Sequence, residues 1–243
     1  MKRNVIIVLG FLIVVSLGTV KAQDSYMSFS LGGSFPYGEF AERGDPGTDG
    51  FAGSSFTLAF DGNYFFGMLG IAGTLNFGMS YLDAEALKAA RIVHLNEIYT
   101  QPVIPRDAAV DYITTQWSYV HLMVGPVFSV PLSVISFEVK AMGGVSFVMP
   151  PQQYLTITAG NDTWKSSASG QSIRLGYLTG AAVLIHPNPG YGIRLGVDYI
   201  STSGHYAMHY NLDQGFIANN EVAENEDIRI QVFHTTVGIF YNF

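Results

Sequence analysis

The chain has 243 residues, a formal net charge of −7, no cysteine, and fewer charged residues (13%) than aromatic ones (14%). The acidity, with no Lys/Arg cluster, argues against nucleic acid as a partner, because neutralising phosphates needs such clusters; the missing cysteines exclude disulfides and a thiol-linked lipid anchor. The charged share is about half that of an ordinary soluble domain, so something apolar has to cover this chain.

In chain order, "MKRN" is a short basic stretch and "VIIVLGFLIVVSLG" an apolar run, followed by "TVKAQ" with Val20 and Ala22 at the small-residue positions of a signal-peptidase site. Residues 1–22 are therefore expected to be a cleavable secretory signal, leaving 23–243 as one domain. Losing Lys2, Arg3 and Lys21 takes the net charge from −7 to −10. The remainder holds no run of about 20 apolar residues, so it carries no transmembrane helix. The other structure able to span a bilayer is a closed barrel, in which every backbone group is satisfied between strands.

Eight segments alternate with period two, the signature of strands with one apolar face. They are 26–35, 55–64, 69–81, 116–128, 135–147, 172–185, 191–199 and the closing stretch. In the first, Met27, Phe29, Leu31 and Phe35 oppose Ser28, Ser30, Gly32 and Ser34. In the fourth, the alternation is less clean, with Val120, Leu122 and Val124 against Tyr119, His121 and Met123. In the last, Phe233, Val237, Ile239, Tyr241 and Phe243 oppose His234, Thr236, Gly238 and Asn242. Short connections fall near 65–68, 129–134 and 186–190, and long loops near 36–54, 82–115, 148–171 and 200–227. That asymmetry predicts an all-β fold: an eight-stranded antiparallel up-and-down transmembrane barrel with short periplasmic turns and long extracellular loops. It places the protein in the outer membrane of a Gram-negative cell, with both termini periplasmic and membrane lipid as an obligatory partner. Within the second loop, "DAEALKAARIVHLNEI" predicts a short helix starting at Asp83.

Two stretches carry resemblances. Thr236, Gly238, Tyr241 and Phe243 match the polar, glycine, aromatic and terminal aromatic positions of the C-terminal assembly signal of outer-membrane proteins. The resemblance implies recognition by the barrel-assembly machinery. "SFPYGEFAERG" and "DGFAGSSFTL" resemble the first hairpin of a family of small Gram-negative outer-membrane β-barrel proteins, through Pro36, Gly38, Glu39, Phe40, Ala41, Gly50, Phe51 and Ala52. That family implies an architecture and hardly any particular activity.

With the apolar face on lipid, the opposite face lines a lumen holding Asp61, Glu138, Lys140, Arg174, Arg194 and Asp198. A barrel of about eight strands is only wide enough for side chains to fill it. Unpaired charges would cost several kcal/mol each, so these six are expected to pair as a structural plug; the alternative is a gated constriction. Glu138 and Lys140 lie two apart on one face and are expected neighbours, with Arg174 nearer the outer rim.

For catalysis, Ser201, Ser203, His205 and Asp213 offer the residue types of a hydrolase but no recognisable spacing. His205 and His209 could share a metal, yet lack the glutamate of the zinc-protease motif. "NDT" at 161–163 is a glycosylation acceptor in the wrong compartment, and "GYG" at 190–192 is turn chemistry. No catalytic residue, metal or cofactor is expected. The sequence thus reads as a non-enzymatic outer-membrane barrel with a structural or surface-interaction role, its long loops meeting an extracellular ligand or surface. The alternatives are a narrow porin for small solutes and, third, a lipid-modifying enzyme.

Overall fold

The computed structural model describes residues 24–98, 108–159, 162–213 and 222–243. The expected signal segment and "NDT" up to Asn161 lie outside them. Among these residues, twelve strands and one α-helix follow in order. The strands are β1 (Tyr26–Pro36), β2 (Ala52–Gly53), β3 (Ser55–Phe65), β4 (Leu69–Leu82), β5 (Ala109–Thr114), β6 (Trp117–Leu132), β7 (Ile135–Met149), β8 (Gln153–Ala159), β9 (Asp162–Ser169), β10 (Ser172–Asn188), β11 (Tyr191–Asp213) and β12 (Val222–Asn242). The helix, α1 (Ala84–Ile98), starts where Asp83 predicts: Asp83 Oδ1 accepts from the Ala86 amide at 3.2 Å, and the helix's first carbonyl bond runs from the Leu87 amide to Asp83.

Eight strands close a ring. β1, β3, β4, β6, β7, β10, β11 and β12 pair antiparallel with their neighbours, and β12 returns to β1 in a continuous register from Tyr26↔Asn242 to Pro36↔Val232. Each of the eight alternating segments is one staple of this ring. Closure leaves no unpaired edge, which is what a bilayer demands. The turns tighten to 66–68, 133–134 and 189–190, with Gly67 at φ 113 and Ser133 at φ 57. Glycine makes the first of these conformations easy.

The pleat then sorts the side chains. Met27, Leu31, Phe60, Leu69, Val124, Val139, Leu195 and Ile239 point outward and are exposed, while Ser28, Ser30, Asp61, Asn76, His121, Glu138 and Thr236 point inward and are buried. An apolar outside and a polar inside is the reverse of a soluble protein and the requirement of lipid. No helix among the described residues is long and apolar enough to cross a membrane; the strands do so. From Phe243 to Phe233 β12 climbs roughly 33 Å at about 3.3 Å per residue. A tilt of about 40° turns this into the roughly 25 Å height of an outer-membrane apolar band.

The long loops differ from expectation. Segments 148–171 and 200–227 are largely strand, because β11 and β12 continue far above the ring and β9, β8 and β5 add to them in the order β12-β11-β9-β8-β5. β11 leaves β10 at the Tyr177↔Ser201 pair and takes β9 as partner from Ala207 onward. This external sheet has its own apolar layer of Val148, Leu155, Ile157, Ala168, Ile228 and Ile230, all buried. Gly204 lets it close, since a Cβ there would press on Ile230, Val148 and Trp117.

Candidate functional site

The lumen is filled in three tiers. At the short-turn rim, the Tyr26 hydroxyl donates to Glu138 Oε2 at 2.6 Å, and its ring packs on Phe240 and Phe65. Phe240 is an inward aromatic on an otherwise small and polar face; only its odd parity against Tyr241 and Phe243 could have flagged it.

Just above lies the charge cluster. Lys140 Nζ sits 3.1 Å from Asp61 Oδ1 and 3.1 Å from Asp198 Oδ1, and Arg194 approaches Asp61 Oδ2 at 3.6 Å from the other side. Ser28 donates to Asp61 at 3.2 Å. These side chains are 6% exposed or less, so water does little of the compensating. Space for them comes from two inward glycines: a Cβ on Gly180 would strike Asp198, and one on Gly196 would crowd Arg194. Five of the six expected charges are thus brought into the lumen. Glu138, expected beside Lys140, instead takes the hydroxyl of Tyr26, because Lys140 reaches across to β3 and β11. Arg174 is not in the lumen. At its height β10 has parted from β11, and its exposed guanidinium turns out to Asp227 at 3.6 Å.

The upper tier is a hydrogen-bonded aromatic layer. The Tyr119 hydroxyl bonds Ser34 at 2.6 Å and Ser80 at 3.0 Å, and its ring stacks on His234 with a 9° interplanar angle. His121 Nδ1 meets Ser146 at 2.7 Å, and Asn76 joins Thr57 to His234. Sequence reading assigns these residues to the lumen face but not to one layer, because they come from six strands.

The first-hairpin motif closes the outer mouth. Gly38, at φ 59, opens a single turn of 3-10 helix over Gly38–Phe40, placing Glu39 in its first turn, with Pro36 ending β1 just before it and Ala41 capping it through its amide to Gly38. That turn drives Phe40 inward against Trp117 and Tyr119. Gly50 packs so closely on Phe40 that no Cβ fits, its carbonyl accepts from Trp117 Nε1 at 2.8 Å, and Phe51 follows at φ 50, fully buried, before Ala52 starts β2. The motif is a folded stopper.

The four residues of the C-terminal resemblance split by face: Tyr241 and Phe243 project into the lipid-facing stripe, Thr236 turns inward, and Gly238 allows close approach to β1 at Ser30. Among the catalytic candidates, His205 Nδ1 lies 2.9 Å from Asp227 Oδ1 outside the ring, but no described hydrogen bond joins it to Ser201 or Ser203. The side chains of His209 and Asp213 lie outside the described residues. Outside the membrane, burial raises the Tyr112 phenol to about 12 beside Gln153. No group of three metal-ligating side chains occurs among the described residues.

No protein-family model matches the chain, and no curated protein matches it. Solved structures do resemble it. Neisserial surface protein A is 12% identical over 92% of this chain and 99% of its own, with a TM-score of 0.43. The attachment invasion locus protein Ail of Yersinia pestis is 13% identical over 90% and 100%, at 0.38, and the outer membrane protease OmpT of Escherichia coli 9% identical over 93% and 98%, at 0.33. At these identities the likenesses say nothing about activity. The ladders, the outward apolar band and the polar lumen of the chain itself carry the conclusion: it is an eight-stranded antiparallel β-barrel of the bacterial outer membrane.

Proposed function

We propose that this barrel works through its outer surface rather than its lumen, as a non-enzymatic surface-interaction protein with an extracellular partner. The observation that carries this reading is the filled lumen beneath a continuous external sheet: side chains occupy the interior from Tyr26 to Phe40, while β12-β11-β9-β8-β5 stand above it. A rigid sheet held on barrel strands offers a preorganised contact surface, which lowers the ordering cost of binding. The same reading takes residues 1–22 as the cleaved signal and Thr236, Gly238, Tyr241 and Phe243 as the assembly signal. Mass measurement of the membrane-extracted protein tests the first, and loss of heat-modifiable, folded protein on deletion of Phe243 tests the second.

The deciding experiment is planar-bilayer conductance of the folded protein, with Lys140→Glu as control. The expected result is no stable current from protein shown to be folded by its unboiled gel shift. A stable current that Lys140→Glu abolishes or re-tunes overturns the reading and makes the protein a small-solute channel.

A further inference from the structure

The lipid-facing band is not equally tall all round the ring. On β11 the outward apolar positions end at Tyr199 and give way to Ser201 and Ser203; on β12 they end at Phe233 and give way to Gln231 and Arg229. Measured from Tyr191 and Phe243 at the short-turn rim, these faces climb about 20 and 25 Å at the rise and tilt of outer-membrane strands. β1 from Met27 to Tyr37 and β3 from Tyr64 to Phe56 are similar, at about 20–25 Å. The remaining four strands go higher. Their outward positions are apolar or glycine from Leu69 to Tyr81 on β4, from Leu132 to Val120 on β6 and from Ile135 to Met149 on β7, and hold one threonine between Ile185 and Ile173 on β10. These faces climb about 30–35 Å. The ring order is β10-β7-β6-β4-β3-β1-β12-β11, so four neighbouring strands make a tall half and the other four a short one.

The surplus lies at the outer end, because short turns hold the lower ends at one rim. Over the seam between β6 and β7 it consists of Val120, Phe147 and Met149. It continues onto the external sheet as Ile113 and Tyr154, a cross-strand pair 61% and 51% exposed. β5 leads into β6 and β8 follows β7, so this pair stands above the same two strands. An apolar band of about 25 Å does not reach this level, and apolar area left to water there is unfavourable in proportion to its size. Lower on the same seam the wall is shaped. Val124 stands 60% exposed between Gly73 and Gly143, its cross-strand neighbours on β4 and β7. A Cβ on Gly143 would meet nothing within 4 Å, so a ridge lies beside a hollow. No charged residue occupies an outward position of β4, β6 or β7.

We propose that the β6–β7 seam at the centre of the tall half is an interface between two copies of this chain, related by a two-fold axis along the membrane normal. What covers the surplus has to stand in the same membrane and carry apolar surface at the same height above the hydrocarbon. Rotation about the normal keeps every residue at its own height, so a second copy meets Phe147, Met149, Ile113 and Tyr154 with the same surplus. The contact is isologous, as a two-fold axis requires: Val124 of each copy seats in the hollow at Gly143 of the other. Within the hydrocarbon, lipid tails are as apolar as the wall, so close approach at glycine and the packing it permits hold the pair. Above the hydrocarbon, burial of apolar area from water adds a driving force that lipid cannot supply. The uncharged seam lets two copies of an acidic chain meet without like charges facing each other there.

The test is energy transfer between copies of the full chain in phosphatidylcholine vesicles. The chain has no cysteine, so Gly190→Cys, in a short turn with open space around it, gives one labelling position for donor and acceptor dyes. Diluting the protein with lipid reads the dissociation constant. Transfer is expected to persist at dilutions where random encounter gives none. Gly143→Phe fills the hollow, and the double change Ile113→Ser/Tyr154→Ser removes the contact above the hydrocarbon. Each should raise the dissociation constant by about tenfold or more, the factor that burial of one large apolar side chain supplies. Val237→Phe, on β12 in the short half, should leave it unchanged. Wild-type transfer that falls to the random level overturns the interface and leaves a monomer that meets its uneven band by tilting. Wild-type affinity in either seam variant, shown folded by its unboiled gel shift, overturns it as well, and so does equal weakening by Val237→Phe. Neither conductance nor an extracellular partner enters this readout, so its outcome stands apart from that of the lumen experiment.

Discussion

The two polar tiers of the lumen solve one problem in different ways. The lower tier uses full charges, with Lys140 between Asp61 and Asp198 and Arg194 on the far side of Asp61. The upper tier uses hydroxyls, an amide and imidazoles around Tyr119. Both fill a space of fixed width lined by short side chains. They differ in what happens when one member is lost. Removing one charge leaves another buried without compensation, whereas removing one hydroxyl leaves a smaller desolvation debt that a neighbour can partly take up. The charged tier is therefore brittle and the hydrogen-bonded tier tolerant.

The contrast can be broken at its strongest point with Lys140→Met, which leaves Asp61 and Asp198 facing each other. A loss of about 3–5 kcal/mol is expected in urea unfolding followed by gel shift. Adding Asp198→Asn, which removes the second stranded carboxylate and leaves Asp61 to Arg194, should recover much of it; a single variant of unchanged stability would remove brittleness from the account. Tyr119→Phe strips two serine contacts from the upper tier and should cost about 1–3 kcal/mol in the same assay. A cost matching that of Lys140→Met would erase the distinction between tiers. On the outside, Arg43→Ala breaks the 3.1 Å pair with Asp83 at a half-exposed site and should change stability by about 0–1 kcal/mol. The smallest effect is spectroscopic. Burial raises the Tyr112 phenol from 10.0 to about 12, so the difference in phenolate absorbance between wild type and Tyr112→Phe should develop near pH 12. Because the folded state favours the protonated phenol, its contribution to stability is complete below pH 10 and lost as pH rises through about 12. Phenolate developing at pH 10 instead would show the external layer around Tyr112 to be open to water.

The ring itself was legible in the sequence, because alternation, turn glycines and the low charge content all answer to the same constraint of lipid outside and side chains inside. The apolar stripe at Phe29, Leu31 and Phe60 could be read residue by residue. Pairings could not. Glu138 and Lys140 share a strand face, but which charge meets which depends on tilt and stagger around the ring, and Lys140 reaches over to Asp61 and Asp198. Arg174 has the parity of a lumen residue and still lies outside, since parity assigns a face only while the strand remains in the closed ring. The external strands were hidden for a related reason. "QYLTITA" alternates over too few residues, with threonines on its wet face, to stand apart from a polar loop.

The seam between β1 and β12 joins residues from opposite ends of the chain, Tyr26 to Asn242. Every other contact in the ring joins strands that follow one another among the eight, so far less chain lies between them and they close at lower entropic cost. Loop-closure entropy favours closing the seam last, after the seven other pairings are aligned, and only then are the unpaired edges of the first and last strands removed together. Until that moment the nascent sheet is an open, greasy, two-edged template for pairing with other chains. At the close-packed step of this seam, Gly238 against Ser30, a Cβ would hold the two strands apart, so a substitution there would prolong the open, two-edged state as well as weaken the closed ring.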